Sequence, residues 1–446
     1  MTIRLYNSLM RKTEELAPRT AGHVEMFICG PTVYDRVHIG NARTFTIFDV
    51  VAKWLRYRGL EVNYIQNITD IDDKIIARAH EQGENPLEYA RRFDDAFRAD
   101  MLALGNDAVS QYARASDYVP QVIAQVKTLI KNGNAYLIEG DGWYFDLTTF
   151  PDYGKLSGRT GLQADDAISR IDDSAKKRNT GDFCVWKLSK PNEPVWEDSE
   201  LGAGRPGWHI EDTAITEHTF GPQYDLHGGG MDLKFPHHEA EIAQQEAASG
   251  KVPFVKYWMH VGFLENKSEK MSKSLGNFLA LNEALEKYEP AVLRFYFLSN
   301  HYRAPLDFSP TALDTAQAAV NRIGELMLKR SDILINETPA VSAIADAMDD
   351  DFNTPKAFAA VFDLIREANA KGAVPPPSFF EFISETFGII PHEPEAVPDD
   401  VQNIVAQRQE ARDRKDWTAS DALRDQMTGL GYSVDDTPYG PLVKKK

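Results

Sequence analysis

Two short segments of this 446-residue chain carry residue types suited to handling a polyphosphate. The first is His38-Ile39-Gly40-Asn41, placed where a strand-like apolar run gives way to a helical pattern. A helix start presents unpaired N–H groups and a partial positive charge, so it favours phosphate. A glycine there lets a flat ligand approach the backbone, and an imidazole can donate to a phosphate oxygen. The second is Lys270-Met271-Ser272-Lys273-Ser274, followed by Leu275-Gly276-Asn277. Two lysines three apart among small hydroxyl residues suit a mobile loop whose ammonium groups neutralise a departing polyphosphate. Taken alone, each segment reads first as ordinary structure, a helix-start turn in one case and a solvated basic loop in the other.

The elements that must position these segments begin with a βαβ unit. His23–Cys29 is an apolar run bounded by Gly22 and Gly30, which predicts a buried parallel strand. A helical pattern follows, with Phe45, Phe48, Val51, Ala52 and Leu55 on one face and Gly59 as its stop. Val62–Ile68 reads as the second strand. This arrangement predicts an α/β fold with a doubly wound parallel sheet, its ligands outside the carboxyl ends of the strands. No G-x-G-x-x-G is present, so a nicotinamide cofactor is not indicated. Residues 115–205 read as an insertion, with a helix over Val119–Asn132 and strand-like pieces around Trp143–Leu147. Strand patterning returns at Tyr224–Leu226 and Phe254–Val261. The pattern is then helical over Ala312–Ile335, Pro355–Ala370 and Phe379–Phe387. One amphipathic helix, Asp399–Leu430, and a short strand close the chain.

A composition of 43% hydrophobic and 26% charged residues is ordinary for globular chains and excludes wholesale disorder. Two cysteines, Cys29 and Cys184, allow one disulfide at most, which excludes the disulfide-rich secreted class. No run approaches about 18 apolar residues and the N-terminus lacks a signal-peptide core, so a soluble cytoplasmic protein with no membrane partner is expected. The net charge of -18 argues against nucleic-acid binding driven by global charge. The charge is uneven, however: residues 331–400 hold 14 acidic and 3 basic side chains, whereas 401–446 hold 7 and 8. A nucleic-acid partner would therefore use local basic faces.

Together and in this order, His-Ile-Gly-Asn after the first strand and Lys-Met-Ser-Lys-Ser far downstream resemble the paired signatures of class I aminoacyl-tRNA synthetases. The resemblance is closer still to bacterial cysteinyl-tRNA synthetases. CGPTVYDRVHIGNARTF, NITDIDDKI, YGKLSGR, GRPGWHIE, HGGGMDLKFPHHEAEIAQ, KMSKSLGN and DDDFNTP all look like stretches of that family and occur in the same order. The resemblance implies a Rossmann-type catalytic domain in two halves, 1–115 and 206–250, split by a connective insertion at 116–205. It further implies a linker region bearing KMSKS at 251–310, a helical bundle at 311–395 and an anticodon-binding tail at 396–446. Carried over by motif, His38, Gly40 and Asn41 should meet the ATP phosphates, Asn41 standing where the family more often has a second histidine. Lys270 and Lys273 should stabilise the transition state of adenylate formation. In His227-Gly228-Gly229-Gly230 the glycines should let the backbone lie close to adenosine, with Asp232 accepting from the ribose hydroxyls.

The family's zinc pattern of two cysteines, a histidine and a glutamate is matched at three positions, Cys29, His237 and Glu241. His237 and Glu241 are four apart on an expected helix, so both can point at one metal. The fourth position holds Asp212 instead of cysteine. Aspartate is a competent zinc ligand, harder than thiolate, and would leave the metal more Lewis acidic. Such a metal would bind the substrate thiolate. Thr69 and Trp208 fall on positions that wall the amino-acid pocket, with His209 nearby. The implied activity is ATP-dependent activation of L-cysteine, with Mg²⁺ accompanying ATP, then transfer to tRNA(Cys) by a monomer. A related ligase that uses another amino acid, or a small-molecule amine as acceptor, is the alternative. The mycothiol ligases similar to this family lack the anticodon-reading tail, so the full C-terminal region here favours tRNA. In that region Arg408, Arg412, Arg414, Lys415 and Arg424 offer a basic face, and Trp417 either stacks on an unpaired base or sits in the helix's own core.

Overall fold

The computed structural model describes residues 2–159, 176–266, 269–270, 279–329, 331–390, 398–437 and 440–445. The apolar run after Gly22 forms the strand His23–Ile28 (β1), and the helix Ile39–Tyr57 (α1) leads back to Glu61–Ile68 (β2). Gln111–Arg114 (β3) extends this side of the sheet. After the insertion come Ile210–Phe220 (α2), Tyr224–Gly230 (β4), His237–Ser249 (α3) and Val255–Val261 (β5). All pairings are parallel, in the order β5-β4-β1-β2-β3. Met26, Phe27 and Ile28 are wholly buried, as a strand covered on both faces requires. The strand order reverses between β1 and β4, which opens a crevice outside their carboxyl ends.

The segment between β3 and α2 carries the helix Val119–Lys131 and an antiparallel sheet of Ala135–Ile138, Gly142–Phe145, Phe183–Leu188 and Gly204–Pro206. Cys184 is buried there beside Tyr136, Ile138 and Tyr144. Beyond β5, Leu264–Asn266 pairs antiparallel with Glu269–Lys270 and parallel with Leu306–Asp307. Four helices follow: Pro310–Leu328, Thr338–Asp349, Thr354–Lys371 and Pro377–Phe387. Their apolar residues Val320, Ile344, Phe358 and Ile383 share one continuous core with Phe48 and Leu55 of α1. Polar ties reinforce that junction. Asp349 accepts from Trp54 Nε1 at 3.1 Å, and Asp351 accepts from the Tyr6 amide at 2.7 Å and from Arg303 at 2.7 and 2.9 Å.

Several elements differ from the pattern-based expectation. The helix expected over Ala312–Ile335 stops at Leu328, because Leu334 bridges to Val374 and the Ile335 amide donates to the Val374 carbonyl at 2.9 Å. The helix Thr338–Asp349 was unread, although Asn336 and Pro339 form a helix-start signal, with Asn336 Oδ1 accepting from the Thr338 amide at 3.1 Å. The expected single helix Asp399–Leu430 is two, Asp399–Asp413 and Trp417–Gly429. Lys415 breaks it in a left-handed conformation (φ 60°), and Asp416 caps the second helix by accepting from the Ala419 amide at 3.1 Å. These helices and the hairpin Tyr432–Thr437/Gly440–Lys445 have their own core of Val401, Ile404, Met427, Val434 and Val443. Among the described residues no helix is long and apolar enough to cross a membrane.

Candidate active site

At the carboxyl ends of β1 and β4 the molecule opens a cavity of about 660 Å³. His38 forms its helix-start edge. The His38 backbone is extended (φ -90°, ψ 159°), and its Nδ1 accepts from the Gly40 and Asn41 amides at 3.1 and 3.3 Å, capping α1. A Cβ on residue 40 would lie 2.9 Å from the His38 ring, so the cap itself requires glycine there. A ring nitrogen that accepts carries no proton, so the neutral imidazole holds its proton on Nε2, as a donor. Asn41 and Asp232 also line the cavity, Asp232 as an exposed side chain.

The HGGG run lies at the carboxyl end of β4. All three glycines are paired within β4, and only Gly230 lines the cavity. A Cβ on residue 228 would meet the Phe48 ring at 2.2 Å, and one on residue 229 would meet Leu233 at 3.0 Å. Gly228 thus serves the packing of β4 against α1. His227 is fully buried, stacked on Trp258 with ring centroids 4.4 Å apart, and stands beside Cys29 instead of lining the cavity. Lys270 lies in the short strand Glu269–Lys270, paired with Glu265, and Lys273 falls outside the described residues.

Cys29, at the end of β1, is the centre of a second group. Its Sγ lies 3.4 Å from Asp212 Oδ2, 3.8 Å from Glu241 Oε1, and 3.2 Å from Nε2 of both His227 and His238. His237 Nε2 lies 3.0 Å from Asp212 Oδ2 and 2.9 Å from Glu241 Oε1, the latter an i,i+4 pair on α3. Two overlapping sets of four ligand atoms result, Cys29/Asp212/His237/Glu241 and Cys29/His227/His238/Glu241, each within 4.8 Å. Cys29, Asp212 and His237 line the cavity, whereas His227 and His238 do not, so the first set is the one a substrate can reach. Trp208 stacks on His237 at 4.5 Å and also lines the cavity, as does Thr69. His209 sits behind, its Nδ1 2.7 Å from His237 Nδ1.

The donor chemistry of this group fits a divalent cation. Burial, reinforced by Glu241 and Asp212, pushes the Cys29 thiol well above its usual range. Burial disfavours a charged His237, yet Glu241 and Asp212 outweigh it and hold the imidazole protonated. Glu241 Oε2 is buried, accepts no hydrogen bond and lies 3.3 Å from His227 Nε2. Two carboxylates and a thiol packed among imidazoles out of water are costly unless a cation joins them, and metal binding would release protons from Cys29 and His237.

Neither the link from Asn67 to Asp212 nor the partners of the histidines follow from the motifs themselves. Asn67 Nδ2 donates to Asp212 Oδ1 at 2.6 Å while its Oδ1 accepts from the Gly30 amide at 2.5 Å, tying Asp212 to β1 and β2. Tyr224 Oη lies 2.5 Å from His227 Nδ1, and His260 Nε2 lies 2.9 Å from His238 Nδ1. Asn67 opens the stretch NITDIDDKI and is a polar residue at a buried position of an apolar strand, and both were signals for it. Tyr224 and His260 gave none.

Comparison with known proteins agrees with this architecture. Residues 15–318 match the family described as tRNA synthetases class I (C) catalytic domain, residues 343–376 the DALR domain, and residues 395–440 the cysteinyl-tRNA ligase anticodon binding domain. Proteins named Cysteine--tRNA ligase from Methylobacillus flagellatus and Coxiella burnetii are each 43% identical to it. The first alignment covers 98% of both chains and the second 99% of both. One from Heliobacterium modesticaldum is 42% identical over the whole of both chains. Among solved structures, Mycobacterium tuberculosis methionyl-tRNA synthetase in complex with methionyl-adenylate is similar with a TM-score of 0.57 at 15% identity, covering 78% of this chain and 83% of that one. That likeness is one of fold. The full-length relatives and the three consecutive matches establish that the chain belongs to the cysteinyl-tRNA synthetase family of class I aminoacyl-tRNA synthetases.

Proposed function

We infer that this chain is a cysteine--tRNA ligase: it activates L-cysteine with ATP to cysteinyl-adenylate, releases pyrophosphate, and transfers the cysteinyl group to the terminal adenosine of tRNA(Cys). The observation that carries the reading is the single cavity at the sheet's switch point, lined both by the capped start of α1 and by the acidic, thiol-bearing cluster at Cys29. Attack of the cysteine carboxylate on the α-phosphate, with pyrophosphate leaving in line, needs positioning and charge neutralisation and no protein nucleophile. His38 offers its Nε2–H, and Asn41 an amide N–H, to the phosphates of ATP, which enters as its Mg²⁺ complex. Lys270 and Lys273 neutralise charge as pyrophosphate departs. Gly230 and Asp232 border the adenosine end.

Cys29, Asp212, His237 and Glu241 would hold zinc, with Trp208 and Thr69 closing the amino-acid side. Bound there, zinc would supply a soft Lewis acid suited to a thiolate and poorly matched by serine's hydroxyl. The domains assigned from the family resemblance divide the labour. Residues 1–115 and 206–250, together with β5 and the cavity-lining Gly262 and Phe263 from 251–310, form the activating site; 116–205 is the connective insertion, the rest of 251–310 the lysine linker, 311–395 the bundle and 396–446 the anticodon reader. The protein acts in the cytoplasm as a monomer.

Charging of tRNA(Cys) with labelled cysteine tests this reading. Efficient charging by the chain, lowered about 10²-fold in His38→Ala by loss of one preorganised donor, is expected. No charging of tRNA(Cys), or charging indifferent to His38→Ala, overturns it.

A further inference from the structure

Arg43, one helical turn after the His38 cap, is fully buried. Its Nη1 donates to the Gly262 and Phe263 carbonyls at 2.8 and 2.9 Å, and its Nη2 donates to the Ala304 carbonyl at 2.8 Å. Among the described residues no carboxylate pairs with it, whereas the equally buried Arg294 is paired with Asp49 at 2.7 Å. Burial pulls its pKa down to about 10, so it remains a cation at neutral pH. A buried cation served by three carbonyls is costly to keep, and a planar fork is the side chain that can reach three fixed oxygens at once.

The carbonyls it grips belong to chain that matters for the lysine motif. Gly262 and Phe263 line the cavity and lead directly into Leu264–Asn266 and Glu269–Lys270. The outgoing end of the same segment is tied to the same helix start. The Ile39 amide donates to the Leu279 carbonyl at 3.0 Å, the Leu281 amide donates to the Val37 carbonyl at 2.8 Å, and His38 bridges to Ala280. The described residues on both sides of the segment carrying Lys270 and Lys273 are therefore tied to the start of α1, by backbone pairing with Val37, His38 and Ile39 at one end and by Arg43 at the other. Room at the Arg43 end is tight: a Cβ on Gly262 would meet the Ala304 carbonyl oxygen at 2.6 Å.

We propose that Arg43 is a positioning residue for adenylate formation, fixing the incoming stem of the lysine segment against the start of α1 and so setting the spacing of the two phosphate-handling motifs. The role rests on the reading of His38 and Lys270 given above. It separates from a purely structural role in its kinetic signature, because Cys29 and its neighbours, which receive cysteine, lie on other elements. Cysteine-dependent pyrophosphate exchange is measured for Arg43→Lys, Arg43→Gln, Gly262→Ala and His38→Ala, with melting temperature followed in parallel.

Expected is a fall in kcat of about tenfold or more in both Arg43 variants, with KM for cysteine within about threefold. Arg43→Lys fails to rescue because it keeps the charge and loses the fork. Gly262→Ala, which disturbs the stem and leaves the guanidinium in place, should show the same split, and it decides the question if the Arg43 variants do not fold. Unchanged kcat in Arg43→Gln or in Gly262→Ala overturns the proposal. So does full rescue by lysine, or a loss of kcat and KM together in step with melting temperature. An indifferent His38→Ala would instead remove the phosphate-site reading, and the ground for the Arg43 role with it.

Discussion

On the zinc reading proposed above, Asp212 decides whether the ligand set works without its second cysteine. A carboxylate keeps the anionic charge that a thiolate would bring, and here it is held by the 2.6 Å hydrogen bond from Asn67. The site therefore loses softness and keeps charge and orientation. Purified without chelator, the protein should carry close to one zinc per chain, and Asp212→Ala should carry almost none, read by elemental analysis. Asn67→Ala leaves every ligand in place but frees Asp212 to turn. It should weaken zinc by about 10–100-fold in a chelator competition, the usual cost of losing a partner behind a ligand. Zinc affinity unmoved by Asn67→Ala would mean that Asp212 is not a ligand. Cys29, His237 and Glu241 were legible from the sequence because they sit inside quoted motifs. Asn67 also opens such a motif, NITDIDDKI, but its role was not legible there, since it depends on bringing the end of β2 beside α2, which no local spacing encodes.

At the scale of elements, β4 separates two jobs that one glycine run hides. Gly228→Ala should destabilise the fold by about 1–3 kcal/mol, as overpacking does, because its Cβ would strike the Phe48 ring at 2.2 Å. Gly230→Ala should leave the melting temperature closer to wild type and raise KM for ATP. Denaturant titration and exchange kinetics of the pair distinguish these, and equal destabilisation by both would contradict the division. The parallel sheet and α1 were readable because their apolar runs are long and regular. The C-terminal helix pair was not, because Asp416 as a cap and left-handed Lys415 interrupt a pattern whose apolar period nearly continues. That break changes the reading of the basic residues. Arg408, expected on an RNA-facing surface, is buried and donates to both Asp436 oxygens at 2.6 and 2.8 Å, while Trp417 is 56% exposed. Those Arg408 hydrogen bonds outweigh partial burial, and with Arg412 and Arg424 they hold the Asp436 carboxyl below its usual range. A lowered folded-state pKa means the pairing stabilises the tail above the unfolded carboxyl value of about 3.9 and is lost as pH falls through the lower folded value. Hydrogen-exchange protection of the hairpin should fall on acidification in the wild type, and that acid dependence should be blunted in Asp436→Asn.

Across the whole molecule, the helices from Pro310 to Phe387 share the core of the catalytic sheet, whereas the last two helices and the hairpin close on a core of their own. A chain ending near residue 395 should therefore fold, retain cysteine-dependent pyrophosphate exchange, and lose most charging of tRNA(Cys). Full charging by that truncation would remove the anticodon-reading role from the tail. The gross order of domains was legible in the sequence through motifs spread along the chain. The shared core was not, because DDDFNTP reveals its purpose only when Asp349 meets Trp54 and Asp351 meets Tyr6 and Arg303. The central claim, that a site with Asp212 among its ligands still selects cysteine, is tested most directly by pyrophosphate exchange run with each of the twenty amino acids on protein loaded with zinc. Exchange that depends on cysteine, with serine and the other amino acids near background, is the predicted result. Exchange driven by a different amino acid, or by serine as readily as by cysteine, would contradict it.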